Sequence, residues 1–270
     1  MGKFWNNIRH DARIWWLNWR AQYRASVALR GAFALQVFGM IINNLGLTFA
    51  WIFLFDRFGT LNGWGAADFI GMQGASMFIF GTMLIFNAGL PELARFVDNG
   101  TFDTFLTKPV SVLMQLASSR IEIAALGDIL LGLVLMIGYG IYAQVSLGAV
   151  ALFLVAVAIG VVIIWCFTLL PYILAFYLFD SDKVSRAIAF FFLDTGIFPT
   201  GVITGKLRIL LLTVWPGLFI AALPLDVLRG LHWEWVALGA VVAGTWLAIS
   251  LWLFRKSLRR YESANLVGAR

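Results

Sequence analysis

Between Asp128 and Asp180 the chain runs for about 51 residues without a charged side chain. A helix needs about 20 apolar residues to cross the hydrocarbon core of a bilayer, so this run has room for two crossings. The segment 142–148, which contains Gln144 and Ser146, is the natural turn between them. The sequence therefore predicts one membrane helix near 121–141 and another near 148–179, with a kink at Pro171 in the second.

The composition of the whole chain supports the membrane class. Of 270 residues, 61% are hydrophobic and only 13% are charged, whereas a soluble domain carries about a quarter of charged residues. One core cannot bury this much apolar surface, so the remainder is expected to face lipid. The net charge of +6 comes from basic residues at both ends and in short loops. This distribution favours contact with lipid headgroups over nucleic acid.

Three further uncharged runs predict crossings. Residues 31–55 and 69–91 each exceed the length needed for one span, and a polar turn with Asn62, Gly63 and Trp64 separates them. Residues 235–254 form the last span. Because basic residues crowd both the first 30 residues and the tail from 255 to 270, both ends are expected in the cytoplasm. The number of crossings must then be even, and the prediction is six.

The fifth crossing is ambiguous in the sequence. Residues 187–205 and 209–225 are both apolar, yet only one of them can cross. In one interpretation the first run crosses, and the second enters the outer leaflet as a hairpin that turns at Trp215 and Pro216. In the other, the first run lies along the cytoplasmic side and the second crosses. A broken helix at membrane depth needs surrounding protein or a cavity, a condition that both interpretations can meet.

The segment 1–30 predicts an amphipathic helix that lies flat on the cytoplasmic face. A packing site on a partner subunit is the alternative. The apolar stripe consists of Phe4, Ile8, Ala12, Trp15, Trp19 and Tyr23. The residues expected at the membrane interface are Trp15, Trp16, Trp19, Arg20, Tyr23 and Arg24.

The segment 92–120 mixes polar and apolar positions and follows a predicted membrane helix. Its pattern predicts a helix that is broken at Asn99 and Gly100, a second helix capped by Thr101, and a stop at Lys108 and Pro109. The first helix has Glu92, Leu93, Phe96 and Val97 on one face. A rigid cytoplasmic element anchored in the spans is the functional interpretation, and a solvated loop with ordinary turns is the alternative.

Five polar residues within the predicted spans are candidates for a functional role. Charges and amides at membrane depth are costly and usually face the bundle interior or water. They therefore mark either a translocation path or hydrogen bonds between helices. The residues are Asn43, Asn44, Asn87, Asp128 and Asp194.

Several motifs in chain order resemble the ABC-2 family of transporter permeases, and specifically its DUF990-like subfamily. Residues 100–111 read GTFDTFLTKPVS and resemble the signature G-x-hydrophobic-D-x-x-L-x-K/R-P-V of that subfamily. The ending Arg259, Arg260, Tyr261, Glu262, Ser263 and Ala264 resembles its terminal R-Y-x-S-A. The turn at Asn62, Gly63 and Trp64 resembles its first outer loop. A proline-spaced region before the last span is also similar, and its marker residues are Pro199, Arg208, Pro216, Pro224 and Arg229. The chain departs from the family in having Phe198 before the first proline and Ala222, Leu223 and Leu225 around the last one.

The resemblance implies an all-α membrane permease domain over residues 1–270, of the type V exporter kind. It favours the re-entrant outer hairpin between the fifth and sixth spans. It also implies two separate ABC ATPase subunits, which hold the ATP and Mg, together with a second permease copy or a paralogue. The expected location is the bacterial inner membrane. With a separate ATPase, the 92–120 segment is the expected coupling element, and its candidate residues are Glu92, Phe96, Asp98, Gly100, Thr101, Phe102, Asp103, Leu106, Lys108 and Pro109.

The chain itself is not expected to be an enzyme or to bind a metal or a cofactor. It has no phosphate-binding G-x-x-x-x-G-K-[ST] loop, and its histidines, His10 and His232, fall at opposite faces of the predicted topology. The single cysteine, Cys166, lies in an apolar run and is expected to be a buried thiol. A transporter driven by an ion gradient, or a channel, remains the alternative, although such proteins often show matching broken helices in two halves.

Overall fold

The computed structural model describes residues 2–196, 198–200, 203–230 and 232–261, with side chains described from Arg9 onward. Parts of three predictions lie outside these residues: positions 197, 201 and 202 of the 187–205 run, the motif residues Glu262, Ser263 and Ala264, and the stripe side chains Phe4 and Ile8. The described α-helices are α1 (Gly2–Ala28), α2 (Arg30–Phe58), α3 (Ala66–Asn87), α4 (Leu93–Asp98), α5 (Asp103–Leu106), α6 (Val112–Ala117), α7 (Ala125–Tyr142), α8 (Leu147–Tyr172), α9 (Asp182–Thr195), α10 (Gly205–Thr213), α11 (Ala222–Gly230) and α12 (Trp233–Leu258).

Five helices in the described part of the chain are long and apolar enough to cross a membrane. They are α2, α3, α7, α8 with its 3-10 extension Ile173–Phe176, and α12. Each coincides with a crossing predicted from an uncharged run. The predicted sixth is not among them, because α9 has only 14 residues and carries Asp182, Arg186 and Asp194. Pro171 lies in the last turn of α8, so it marks the change from α-helix to 3-10 helix rather than a kink in the middle of the span.

The most extensive packing between two spans occurs where α3 crosses α7. Glycines face each other there, and a Cβ atom added to Gly132 would lie 2.7 Å from the carbonyl oxygen of Gly74. Small residues at such crossings let helix backbones approach closely, and van der Waals contact then stabilises the pair without help from water. The α3–α7 pair forms the centre against which α2 and α8 pack.

One end of the bundle is organised by the turn 59–65 between α2 and α3. Asn62 and Gly63 both have positive φ, 48° and 80°, as a two-residue turn of this kind requires. The turn is anchored by Arg229 of α11, which donates to the Gly63 carbonyl at 2.7 Å and lies over the buried Trp64 ring at 4.5 Å. Arg229 also pairs with Asp68 at 3.3 Å. We call this the 59–65 end, and the opposite one the 92–120 end.

The ambiguous fifth region connects these two ends. At the start of α9, Ser185 donates a hydrogen bond of 2.8 Å to the carbonyl of Pro171, at the 92–120 end of α8. Past the end of α9, Thr200 donates to Asp226 of α11, next to Arg229. The described residues 182–196 therefore begin at the 92–120 end, and residues 198–200 lie in the neighbourhood of the 59–65 end.

The chain then enters the bundle and returns. Arg208 of α10 lies 5.0 Å from the ring centre of Trp235, in the first turn of α12. Five residues later, the Thr213 carbonyl accepts a 2.8 Å bond from the indole of Trp246, half-way along α12. The helix breaks at Trp215 and Pro216, and α11 leads back to the 59–65 end. Pro216, Pro224 and Pro199 are buried in this arrangement, whereas Arg208 is half-buried. These contacts favour the first of the two interpretations.

Candidate coupling segment and membrane cavity

The 92–120 segment is a compact group of three short helices. Helix α4 ends at Asp98, and Gly100 has a φ of +68°, a left-handed conformation that favours glycine. The predicted break at Asn99 and Gly100 is thereby confirmed. The turn aims Phe102 inward, where it is 0% exposed.

Thr101 does not cap the following helix, contrary to the sequence prediction. Helix α5 has Phe102 at its N-cap position without a side-chain hydrogen bond. The Thr101 hydroxyl instead donates to the carbonyl of Phe96, at 3.4 Å. The reason is that the turn after Gly100 directs the threonine side chain back to α4. Helix α5 ends at Leu106, two residues before the predicted stop at Lys108.

An aromatic cluster joins the segment to two membrane helices. The ring centre of Phe102 lies 5.4 Å from that of Phe176, just after α8, and 4.9 Å from that of Tyr261, just after α12. The Tyr261 hydroxyl donates a 2.9 Å hydrogen bond to Asp103. Burial, and then the bond and charge of Asp103, raise the pKa of Tyr261 to about 12. The tyrosine therefore stays a neutral donor at physiological pH.

The outward face of the segment is a small exposed surface, which we call the 104–109 surface. The backbone of this surface is held in place by the side chain of the buried Gln115, whose amide donates to the carbonyls of Phe105 at 3.1 Å and Val110 at 2.9 Å. Leu106 is 45% exposed and is an apolar side chain on this surface. The exposed members of the surface are Thr104, Leu106, Thr107, Lys108 and Pro109.

Two predicted coupling residues lie at the base of the segment rather than on its outward face. Glu92 pairs with Arg95 at 2.8 Å and also binds Arg120, so that it ties the start of the segment to its end. Asp98 is half-buried near Asp180 and Asp182. Burial, followed by the charges of these two carboxylates, raises the pKa of Asp98.

Helix α1 packs against the 92–120 end of the bundle. The Trp19 indole donates a 2.8 Å bond to the carbonyl of Ile85, and its ring stacks on Phe86 at 5.7 Å. Asn18 and Gln22 bind Ser118 and Ser119 after α6. Much of the predicted apolar stripe thus contacts the protein itself. Trp15 and Tyr23 are half-buried with Trp19, whereas Trp16, Arg20 and Arg24 are exposed.

A cavity of about 400 Å³ opens among α2, α3, α7 and α9. It brings together four of the five polar residues that the sequence placed in the spans, namely Asn43, Asn44, Asp128 and Asp194. The fifth, Asn87, lies outside the lining, half-buried at the end of α3.

The polar side of this cavity is a hydrogen-bonded cluster. Asn44 donates from its amide to Asp128, and Gln73 donates to the Asn44 carbonyl at 3.3 Å. Gln73 was missed by the sequence analysis, although it is the only Gln, Asn or charged residue between Asp68 and Asn87. Its polarity within an otherwise apolar span was the available signal.

A second cavity, of about 280 Å³, lies towards the 92–120 end. Glu92, Arg120 and Arg186 line its outer part. The two cavities share three lining residues: Phe80, Phe190 and Leu193. These two aromatic rings and the leucine form the wall that the two cavities share.

Long apolar helices, a polar cavity among them and charged residues gathered at the two ends define a multi-pass membrane protein. Residues 41–265 match the family model described as ABC-2 family transporter protein. The chain belongs to this family and is an ABC-2 transporter membrane component. No curated protein and no solved structure matches the chain.

Proposed function

We propose that the chain is the membrane-spanning subunit of an ATP-driven exporter, and that the 92–120 segment receives the motion of a separate ATPase. The observation that carries this proposal is that the 92–120 segment combines an exposed outward face with a buried aromatic residue beneath it. Leu106, Lys108 and Pro109 are available to a partner, while Phe102 beneath them is fully enclosed. We expect a displacement of this exposed face to be passed on to Phe102, because Phe102 is packed on all sides.

Phe102 is connected to the membrane helices that would have to move during transport. Through Phe176 and Tyr261, Phe102 contacts the ends of α8 and α12. Displacement of the 104–109 surface therefore pushes on two membrane helices together. Helix α1, bound to the segment through Ser111, Ser118 and Ser119, forms a second lever at the membrane surface.

The proposed topology has six crossings with both termini in the cytoplasm of a bacterial inner membrane. Residues 182–200 supply the fifth crossing, since their contacts lie at opposite ends of the bundle. The segment from α10 to α11 is the re-entrant outer hairpin. The 92–120 end is then cytoplasmic, as a contact with an ATPase requires.

The proposed assembly contains two ATPase subunits, which bind ATP and Mg, and a second copy of this chain or a paralogue. Helix α2 supports a large lateral contact, because it exposes one continuous apolar face to lipid or to a second copy. The exposed residues of this face include Leu35, Phe38, Ile42, Phe49 and Phe53.

The test is whether the purified chain captures an ABC ATPase encoded beside its own gene, combined with charge reversal on the 104–109 surface. Lys108→Glu changes an exposed residue and is expected to lower both capture and coupled ATPase stimulation at least tenfold. Lys206→Glu is the matched control, because Lys206 is also exposed but lies at the start of α10, on the other side of the membrane in the proposed topology. Asp103 is unsuitable for this test, since its change would also remove the bond to Tyr261.

Two results would contradict the proposal. Equal capture by Lys108→Glu and Lys206→Glu would remove the 104–109 surface from the contact. Transport that continues with a hydrolysis-dead ATPase would instead favour a carrier driven by an ion gradient, or a channel. Both variants must elute from gel filtration as the wild type does, so that misfolding is not scored as lost coupling.

A further inference from the structure

We infer that the cavity around Asp128 binds an apolar molecule that carries a positively charged amine or amidine group. The inference rests on the proposed transport function and names the chemical class of the cargo. It starts from the charge of the lining. Among the described residues that line this cavity, the ionisable side chains are two carboxylates, Asp128 and Asp194, and none is basic.

The second observation is a pair of acceptor oxygens without donors. Asp128 is 4% exposed and uses one carboxylate oxygen to accept from Asn44. Its other oxygen, Oδ2, has no hydrogen-bond partner among the described residues. The same holds for Oε1 of Gln73, which is 7% exposed and donates its amide to Asn44.

Buried acceptors without donors are costly, and a carboxylate costs more than an amide. The protein tolerates this cost at a site where a ligand supplies the missing donors. Both acceptors here call for N–H or O–H groups. A protonated amine offers such donors together with a charge opposite to that of Asp128.

The remaining walls suit the apolar part of the same molecule. Aromatic side chains line the cavity, among them Trp51, Phe69 and Phe190. Aromatic faces attract cations within about 6 Å and pack against flat apolar bodies. A volume of about 400 Å³ lies within the range of sites that hold small organic ligands. The volume of the cavity, its acidic lining and its two acceptors without donors therefore all favour an amphipathic organic cation as the ligand.

The test measures binding of ethidium, an aromatic cation with two amino groups, to the purified full chain in nanodiscs by fluorescence polarisation. Saturable binding is expected for the wild type, and Asp128→Asn is expected to weaken it at least tenfold. Fluorescein, an aromatic anion, is the probe control and should not saturate. Asp56→Asn is the matched variant control, because Asp56 is an exposed aspartate at the end of α2 outside the cavity lining.

A second variant protects the test against loss of folding at Asp128. Ser76→Phe keeps the charge in place but fills the cavity, since Ser76 lines it from α3. It should abolish saturable ethidium binding. Wild-type binding by either Asp128→Asn or Ser76→Phe, equal binding of fluorescein, or the absence of saturable ethidium binding to the wild type would each overturn the inference. Capture of the ATPase by the same preparations would show that the proposed function survives that failure.

Discussion

Replacement of Phe102 by alanine should separate the 92–120 segment from the membrane helices. Phe102 is the central ring of the aromatic cluster, with Phe105, Phe176 and Tyr261 around it at centroid distances of 5.9, 5.4 and 4.9 Å. The substitution leaves the five candidate spans unchanged in sequence. Its effect is therefore expected to be local.

The expected size follows from the burial of this ring. Truncation of a fully buried phenylalanine to alanine costs about 3–5 kcal/mol, which includes the lost aromatic contacts and the cavity left behind. Because each 1.4 kcal/mol is a factor of ten, local opening of the segment should become roughly 10²- to 10³-fold more frequent. The loss acts on the contact with α8 and α12 rather than on insertion into the membrane.

Hydrogen–deuterium exchange of the purified full chain measures this opening directly. Peptides from residues 93–118 should exchange faster in Phe102→Ala, while peptides from α3 and α7 should not change. Phe58→Ala is the matched control, since Phe58 is exposed at the other end of the bundle. If exchange in residues 93–118 stays within threefold of the wild type, the aromatic cluster does not hold the segment and the proposed force path is wrong.

Two further predictions concern the neighbours of the segment. Trp19→Ala removes the bond to Ile85 and the stacking on Phe86, so trypsin should cleave α1 about tenfold faster. Leu17→Ala changes an exposed residue of the same helix and should cleave as the wild type does; equal rates in the two variants would contradict the docking of α1. The pKa of Asp98 in the folded protein is raised above its unfolded value by burial and by neighbouring carboxylates. The contribution of Asp98 to stability is therefore complete below the ordinary carboxyl pKa of 3.8, and it is lost as the pH rises through the folded pKa. The thermal midpoint, followed by tryptophan fluorescence, should therefore gain more on acidification from pH 7 to 4 in the wild type than in Asp98→Asn, and parallel curves would refute this assignment.

The membrane helices were predictable because their determinant is local. An uncharged run longer than the bilayer core has few alternatives to a crossing, whatever its neighbours are. The predicted limits 31–55 and 235–254 accordingly lie inside the observed helices Arg30–Phe58 and Trp233–Leu258. The break at Gly100 was predictable for the same reason, since it depends on glycine in a single turn.

The arrangement of the 92–120 segment was not predictable, because it depends on contacts distant in sequence. Tyr261 binds Asp103 although the two residues are 158 positions apart in the sequence. The residues around Tyr261 do not indicate this contact, and neither do those around Asp103. The wrong expectation for Thr101 has a related cause. A threonine two residues before an acidic helix start is a good capping signal, but the turn at Gly100 directs its hydroxyl towards Phe96.

The fifth region shows where hydropathy alone fails. Both apolar runs were long enough to attract a crossing, and only contacts at their ends distinguish them. Arg208 and Arg229 both lie at the 59–65 end, whereas Thr213 between them reaches the middle of α12. A segment that begins and ends on one side cannot cross. The residues of the cavity were individually visible in the sequence, but their convergence depends on this arrangement, since α9 supplies one of its walls.

Glu92 belongs to both of the regions on which the proposals depend, the 92–120 segment and the cavities next to it. It belongs to the 92–120 segment, where its bond to Arg120 closes the segment into one unit, and it also lines the smaller cavity. The start of the segment packs closely against α6, because a Cβ atom on Gly89 would lie only 1.8 Å from the Leu116 carbonyl. In the proposed mechanism, motion imposed on the 104–109 surface would therefore reach the wall of the smaller cavity. That cavity shares Phe80, Phe190 and Leu193 with the Asp128 site, so in the proposed mechanism the motion would reach the wall that lies between the two cavities.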